Sequence, residues 1–241
     1  MSDGIYIAMS GAAAQERALD VVANNLANTN TVGFKAERIT FAETLAKNAT
    51  KTGEMSFVGL ADSLTDHSQG LIVATDNPLD LAIAGEGYFA IETPSGIRYT
   101  RAGDFRMNED GRLVTLDGHV VRGSDGSEIQ IPPNTANVSV NPDGIVSNGF
   151  QDFGTIAVVQ LDPKTVQREA NRLFTGVELP ERDSEGTYQL LSGSLEESNF
   201  TAIRGMVDIV RVSRIHEAQH RMLETYRQIN NRAARDLGGG K

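Results

Sequence analysis

The stretch Ala23-Asn24-Asn25-Leu26-Ala27-Asn28-Thr29-Asn30-Thr31-Val32-Gly33-Phe34-Lys35 marks the point where one kind of chain gives way to another. Asn24, Asn25, Asn28 and Asn30 crowd together just ahead of Gly33. Asn and Gly both tolerate left-handed backbone geometry, and Asn side chains bind nearby backbone groups, so the run predicts a helix terminus and then a turn. Upstream, Ile5, Ala8, Ala12, Leu19, Val22 and Leu26 recur on alternating three- and four-residue steps, with Gln15 the polar member of the series. This narrow heptad seam, partly lined by alanine, suits a helix packing closely on another helix. At about 1.5 Å rise per residue it would run roughly 30 to 35 Å.

The far end of the chain has the same grammar. Val212, Ile215, Gln219, Met222, Tyr226, Ile229 and Ala233 again step by three and four. Ile203, Met206, Val207, Ile209 and Val210 precede them with a broader apolar face, and Gly238, Gly239 and Gly240 stop the helix. An isolated amphipathic helix is marginal in water. Neither seam has a partner close by in sequence, so the two ends are expected to pair with each other or with copies of themselves.

Between them, from about Gly70 to Gly193, short apolar runs alternate with turn chemistry, which is the all-β pattern. Gly87–Glu92 and Ile97–Arg101 flank Thr93-Pro94-Ser95-Gly96. Arg112–Leu116 and His119–Arg122 flank Asp117-Gly118, a dipeptide that suits a type I′ hairpin. Asn141-Pro142-Asp143-Gly144 separates Val138–Val140 from Ile145–Ser147, and Thr155–Leu161 reads as one longer buried strand. No βαβ alternation is present. The expected fold class is α+β, with N- and C-terminal helices pairing as a coiled coil around a central antiparallel all-β domain. The expected divisions are a helix in 1–35, a connector with one short helical continuation in 36–69, the β-rich domain in 70–195 and a helix in 196–241.

Composition removes several functional classes. The 241 residues are 39% hydrophobic and 22% charged, a balance that supports a folded chain. No apolar run approaches the roughly 18 to 20 residues of a membrane span. With no cysteine there is neither disulfide nor thiolate chemistry. A formal charge of −10 argues against whole-chain nucleic-acid binding. No Lys or Arg precedes Arg17, and Ser2, Asp3 and Gly4 stand where a basic start belongs, so no cleaved secretory signal is expected.

One stretch has the form of a metal site. His216-Glu217-Ala218-Gln219-His220 matches H-E-x-x-H, which on a helix sets two imidazoles on one face beside a glutamate base. A zinc metalloprotease would use His216 and His220 as ligands and Glu217 to activate water. Against that, Leu223 and Tyr226 replace the glycine and third histidine of the extended motif, and Arg214 and Arg221 add positive charge. A solvated helix face is the expected reading. Ala84-Gly85-Glu86-Gly87 lacks the helix and Lys-Ser/Thr pair of a phosphate loop. Asp104, Glu109 and Asp110 fall around a turn, where solvated acids belong. No catalytic, cofactor-binding or metal-binding residue is expected.

Four blocks carry a resemblance. Ala23–Lys35 resembles the N-terminal signature of bacterial flagellar rod and hook proteins. Asn77-Pro78-Leu79-Asp80-Leu81-Ala82-Ile83-Ala84-Gly85-Glu86-Gly87-Tyr88-Phe89 and Tyr99-Thr100-Arg101-Ala102-Gly103-Asp104-Phe105 are similar to that family's core motifs. Gly193-Ser194-Leu195-Glu196-Glu197-Ser198-Asn199 resembles the lead-in to its C-terminal helix. Asn24, Asn25, Asn28, Thr31, Gly33, Phe34, Ser198 and Asn199 are the signature positions. Phe200 departs from the usual valine there, and Ile215–Ala218 departs from a frequent Arg-aromatic-Glu arrangement.

The resemblance implies a structural subunit of the basal-body rod, of the proximal type, with a distal-rod or hook-family subunit as the alternative. It implies helical stacking into a hollow torque-bearing shaft in the periplasmic space. The implied partners are copies of itself, other rod proteins and the flagellar type III export apparatus, without nucleic acid or membrane insertion. The helix seams, Ile5 to Leu26 and Val212 to Ala233, would form the assembly interface.

Overall fold

A computed structural model describes residues 2–40, 42–45, 56–59, 63–132, 135, 138–170, 172–180 and 188–238, with side-chain surroundings for 9–40, 63–132, 135, 138–170, 172–180, 188–229, 231–232 and 235. The chain divides into two compact units, one of residues 1–27, 37–66 and 201–241, the other of residues 28–36 and 67–200. Among the described residues, two helices and a mainly antiparallel β-rich unit make the class α+β.

In the first unit, helix α1 spans Ser2–Ala27 and helix α2 spans Ala202–Gly238. At 1.5 Å per residue they are about 39 and about 55 Å long. The two helices are in contact, and the approach is close at Gly11, where an added Cβ would lie 3.3 Å from the Gln219 side-chain nitrogen. Antiparallel strand pairs complete the unit: Glu37–Ile39 with Ser63–Thr65, and Ala42–Leu45 with Ser56–Gly59. The described parts of residues 36–69 therefore replace the expected helical continuation with hairpin arms. Ile39, Thr44, Phe57 and Val58 are β-branched or aromatic, residue types that favour a strand over a helix.

The β unit is built on the hairpin Tyr88–Thr93 and Gly96–Thr100. Tyr88–Thr93 also takes Val120–Val121 and Val158–Val159 as partners, while Gly96–Thr100 takes Phe174–Thr175. Leu81–Gly85 pairs with Tyr188–Ser192, setting Ile83 opposite Leu190. Side chains alternate between the faces of a strand. Accordingly Phe89 and Ile91 enter a core with Leu81, Ile83, Leu113 and Val121, while Tyr88 and Ala90 join Tyr99, Leu161 and Phe174 on the other side. Phe89 meets Phe105 edge-on at 5.0 Å between centroids. Burial on both faces explains why Tyr88–Ile91 is apolar without a polar alternate.

One turn design recurs. Asn108–Gly111, Thr115–Gly118, Gly123–Gly126 and Asn141–Gly144 each close with the last glycine N–H donating to the first carbonyl, at 2.9 to 3.0 Å. Each last glycine is left-handed, with φ between 80° and 87°. This is the three-residue hairpin loop, a type I turn followed by a glycine bulge. Asp117-Gly118 is thus not the expected type I′ turn, which needs positive φ at both central residues. Among described residues the non-glycine with positive φ is Asp76. The expected long strand Thr155–Leu161 is also broken. Its residues bridge successively to Gly123, to Phe89 and Tyr88, and to Glu178.

Candidate assembly surface

The Ala23–Lys35 stretch ends α1 and then enters the β unit. The Asn25 side chain pairs with the backbone of Glu37, donating to its carbonyl at 2.8 Å and accepting its N–H at 2.9 Å. Thr31 donates from its backbone and its hydroxyl to Asn28. Gly33 is left-handed, with φ of 67°, and a Cβ there would lie 2.3 Å from the Ala102 nitrogen. Asn24 is exposed on the last turn of α1.

Beyond this turn the β unit holds a buried ion triad. Lys35 and Glu196 are fully buried and Arg101 nearly so. Lys35 Nζ reaches Glu196 Oε1 at 2.5 Å and the Ser68 carbonyl at 2.8 Å. Glu196 also accepts from the Gly70 N–H at 2.8 Å and from Arg101 Nη1 at 3.3 Å. Arg101 donates further to the Ile83 and Gly85 carbonyls and lies over the Tyr88 ring at 5.2 Å. Backbone bonds run alongside, from Gly33 N–H to the Glu196 carbonyl at 2.7 Å and from Asn199 N–H to the Phe34 carbonyl at 3.3 Å. Asn199 accepts from Ala36 N–H at 2.7 Å and donates to Ser68. Ser198 accepts from the Phe200 N–H at 3.2 Å. Phe34 is fully buried beneath the Arg168 guanidinium, 4.5 Å from its ring.

Ions taken from water need both pairing and saturated hydrogen bonding. The triad is paired and extensively hydrogen-bonded, with the buried Arg101 Nε left without a hydrogen-bond partner, and it unites three motifs far apart in sequence. Burial pushes the Tyr88 phenol up to about 12, although Arg101 opposes the shift. Burial also raises the Asp104 carboxyl, against the pull of its partner Arg172. Lys35, Arg101 and Glu196 carry no role in the sequence reading. The one available signal was a charge set among residues such as Phe34 and Ala36 or Thr100 and Ala102.

On α1, Ala12, Leu19, Val22 and Leu26 are half-buried, while the deepest burial follows Ala14, Val21 and Asn25 on an adjoining line. On α2 the sheltered line runs through Gly205, Val212, His216, Gln219 and Leu223, whereas Ile215, Met222, Tyr226 and Ile229 are exposed. The surroundings of Ile5, Ala8 and Ala233 lie outside the described side chains. Ile203, Met206, Val207 and Val210 form a row at i, i+3, i+4 and i+7, with Ile203 at 79% exposure. At 3.6 residues per turn that row faces roughly opposite the Gly205–Val212–Gln219 line. Such a row is a candidate interaction surface.

Within the H-E-x-x-H stretch, His216 and His220 stand one helical turn apart, Nε2 to Nε2 at 3.2 Å. Glu217 points to Arg221 at 3.8 Å, with both side chains largely in solvent. Among the described residues no group of three or more His, Asp or Glu side chains is placed to hold a metal. No described helix is long and apolar enough to cross a membrane.

Two family models match the chain. One, described as flagella basal body rod protein, covers residues 5–35, and the other, described as flagellar hook protein FlgE/F/G D1 domain, covers residues 82–148. Flagellar basal-body rod protein FlgF of Mesorhizobium japonicum is 32% identical over 99% of both chains, and FlgF of Caulobacter vibrioides is likewise 32% identical over 99% of both. Flagellar basal-body rod protein FlgG of Bacillus subtilis is 33% identical over 95% of this chain and 97% of its own. The chain belongs to the flagellar basal-body rod protein family.

Proposed function

We propose that this protein is a structural subunit of the proximal part of the rod, resembling FlgF. The observation that carries the reading is the end-to-end match to FlgF. It aligns over 240 positions at 99% of both chains, whereas the FlgG alignment stretches to 257 positions for 95% of this one. A distal position is the second reading, favoured by the 33% identity to the Bacillus FlgG.

The terminal helices pair as a coiled coil, and neighbouring copies or related rod proteins cover the apolar rows of α2. The subunit reaches the periplasmic space through the flagellar export apparatus without a cleaved signal, and it works as part of a shaft and not as an enzyme. Ile5, Ala8, Ala12, Leu19, Val22 and Leu26, with Val212, Ile215, Met222, Tyr226, Ile229 and Ala233, supply the contact surface. Half-exposed seams support this, because apolar side chains stay wet until a neighbour arrives.

Replacing Leu26 or Ile215 with Asp should abolish incorporation into basal bodies while the secreted chain keeps a folded β unit. Wild-type incorporation of either variant would remove the interface. Labelled antibody on purified basal bodies should place the protein at the motor end of the rod, and labelling next to the hook would favour the distal reading.

A further inference from the structure

Two of the H-E-x-x-H residues stand close together on α2. His216 Nε2 and His220 Nε2 lie 3.2 Å apart, with ring centroids 4.4 Å apart and ring planes at 78°. An ion about 2.05 Å from both nitrogens, the usual zinc–imidazole length, would see them at roughly 100°, between the square-planar and tetrahedral values. We infer that His216 and His220 form a two-histidine site for an imidazole-seeking divalent transition ion, copper(II) above zinc(II), with water completing the shell.

Several features favour it. Both rings lie one helical turn apart on α2, so the backbone has already fixed their spacing. His220 is exposed and His216 half-buried, which leaves an approach from solvent. Arg221 is engaged with Glu217, which tempers the repulsion its charge would exert. Without an ion the pair shares a hydrogen bond between two Nε2 atoms, which requires one ring to carry its proton there. On binding, that proton moves to Nδ1 of the same ring and both Nε2 lone pairs face the ion. Imidazole affinity rises from zinc to copper along the divalent series, which sets the order of preference. With two protein ligands the ion acts as a staple across one turn of α2.

The test is calorimetric titration of the untagged full-length chain with copper(II), together with its electron paramagnetic resonance spectrum. One saturable site per chain is expected, with nitrogen splitting from two imidazoles. His216→Asn and His220→Asn should each weaken binding by roughly tenfold or more, since losing even an outer-shell partner of a metal ligand costs that much. Glu217→Gln, which removes no ligand but frees the Arg221 charge, should weaken binding less than either histidine variant. His220→Asn, altering an exposed side chain, keeps the test valid if His216→Asn folds poorly, and circular dichroism checks both. Absence of a saturable site, unaltered affinity in His220→Asn, or a spectrum without imidazole nitrogen would each overturn the assignment.

Discussion

Glu196 neutralises part of a site holding two buried cations, and its value is clearest from its removal. Glu196→Gln keeps the shape but leaves Lys35 and Arg101 inside without a counter-charge. Breaking a buried pair in this way costs about 3–5 kcal/mol, which urea denaturation should register as a lower midpoint. The tyrosines predict a pH response. Burial is the leading cause that pushes both Tyr88 and Tyr99 up to about 12, with the Glu178 carboxylate assisting at Tyr99. As pH rises past the ordinary value of about 10, the unfolded chain releases these protons first. The unfolded state then binds fewer protons than the native one, so stability falls between about pH 10 and 12. Thermal midpoints across that range should drop, and Tyr99→Phe should flatten the drop. Residue-scale chemistry of this kind was hidden in the sequence. Lys35 and Glu196 are 161 positions apart, and only the folded β unit brings them together.

At the scale of elements the sequence was more informative. The asparagine cluster marked the end of α1, and Gly118 and Gly144 marked turns between strands, because local backbone geometry depends on local residues. Turn type was less legible, since it depends on whether the residue before glycine also turns left-handed. Which stripe of α1 is deepest was equally obscure. Hydrophobic period gives a phase, but Asn25 is buried through its bonds to Glu37 and not through being apolar. Two glycines separate the sources of turn strain. Gly118→Ala meets nothing within 4 Å and should cost about 1–2 kcal/mol, the left-handed penalty alone. Gly33→Ala carries that penalty and a Cβ 2.3 Å from the Ala102 nitrogen, so its loss should be clearly larger. Denaturation of the two variants side by side measures the difference.

For the whole molecule, the two units predict separable folding. The β unit owns its core, from Leu81 and Ile83 to Ile156 and Leu190, together with the Lys35–Arg101–Glu196 triad. A fragment of residues 28–200 should therefore unfold cooperatively by circular dichroism yet fail to enter basal bodies. A gradual, non-cooperative melt would show that the helices are needed for the core. The α+β class and the helix–sheet–helix order were readable from periodicity alone. The middle segment was not, because its strands of three or four residues are too short to set a period.

The bonds between 33–36 and 196–199 also have a mechanical meaning. They fasten the inlet and the outlet of the β unit to each other, closing a loop across 161 positions. A pull on the two chain ends would load this fastening in parallel, several bonds at once, before any hairpin began to peel. If neighbouring subunits pulled on the helices, such a fastening would act as a cord grip and keep the load off the sheets beyond it.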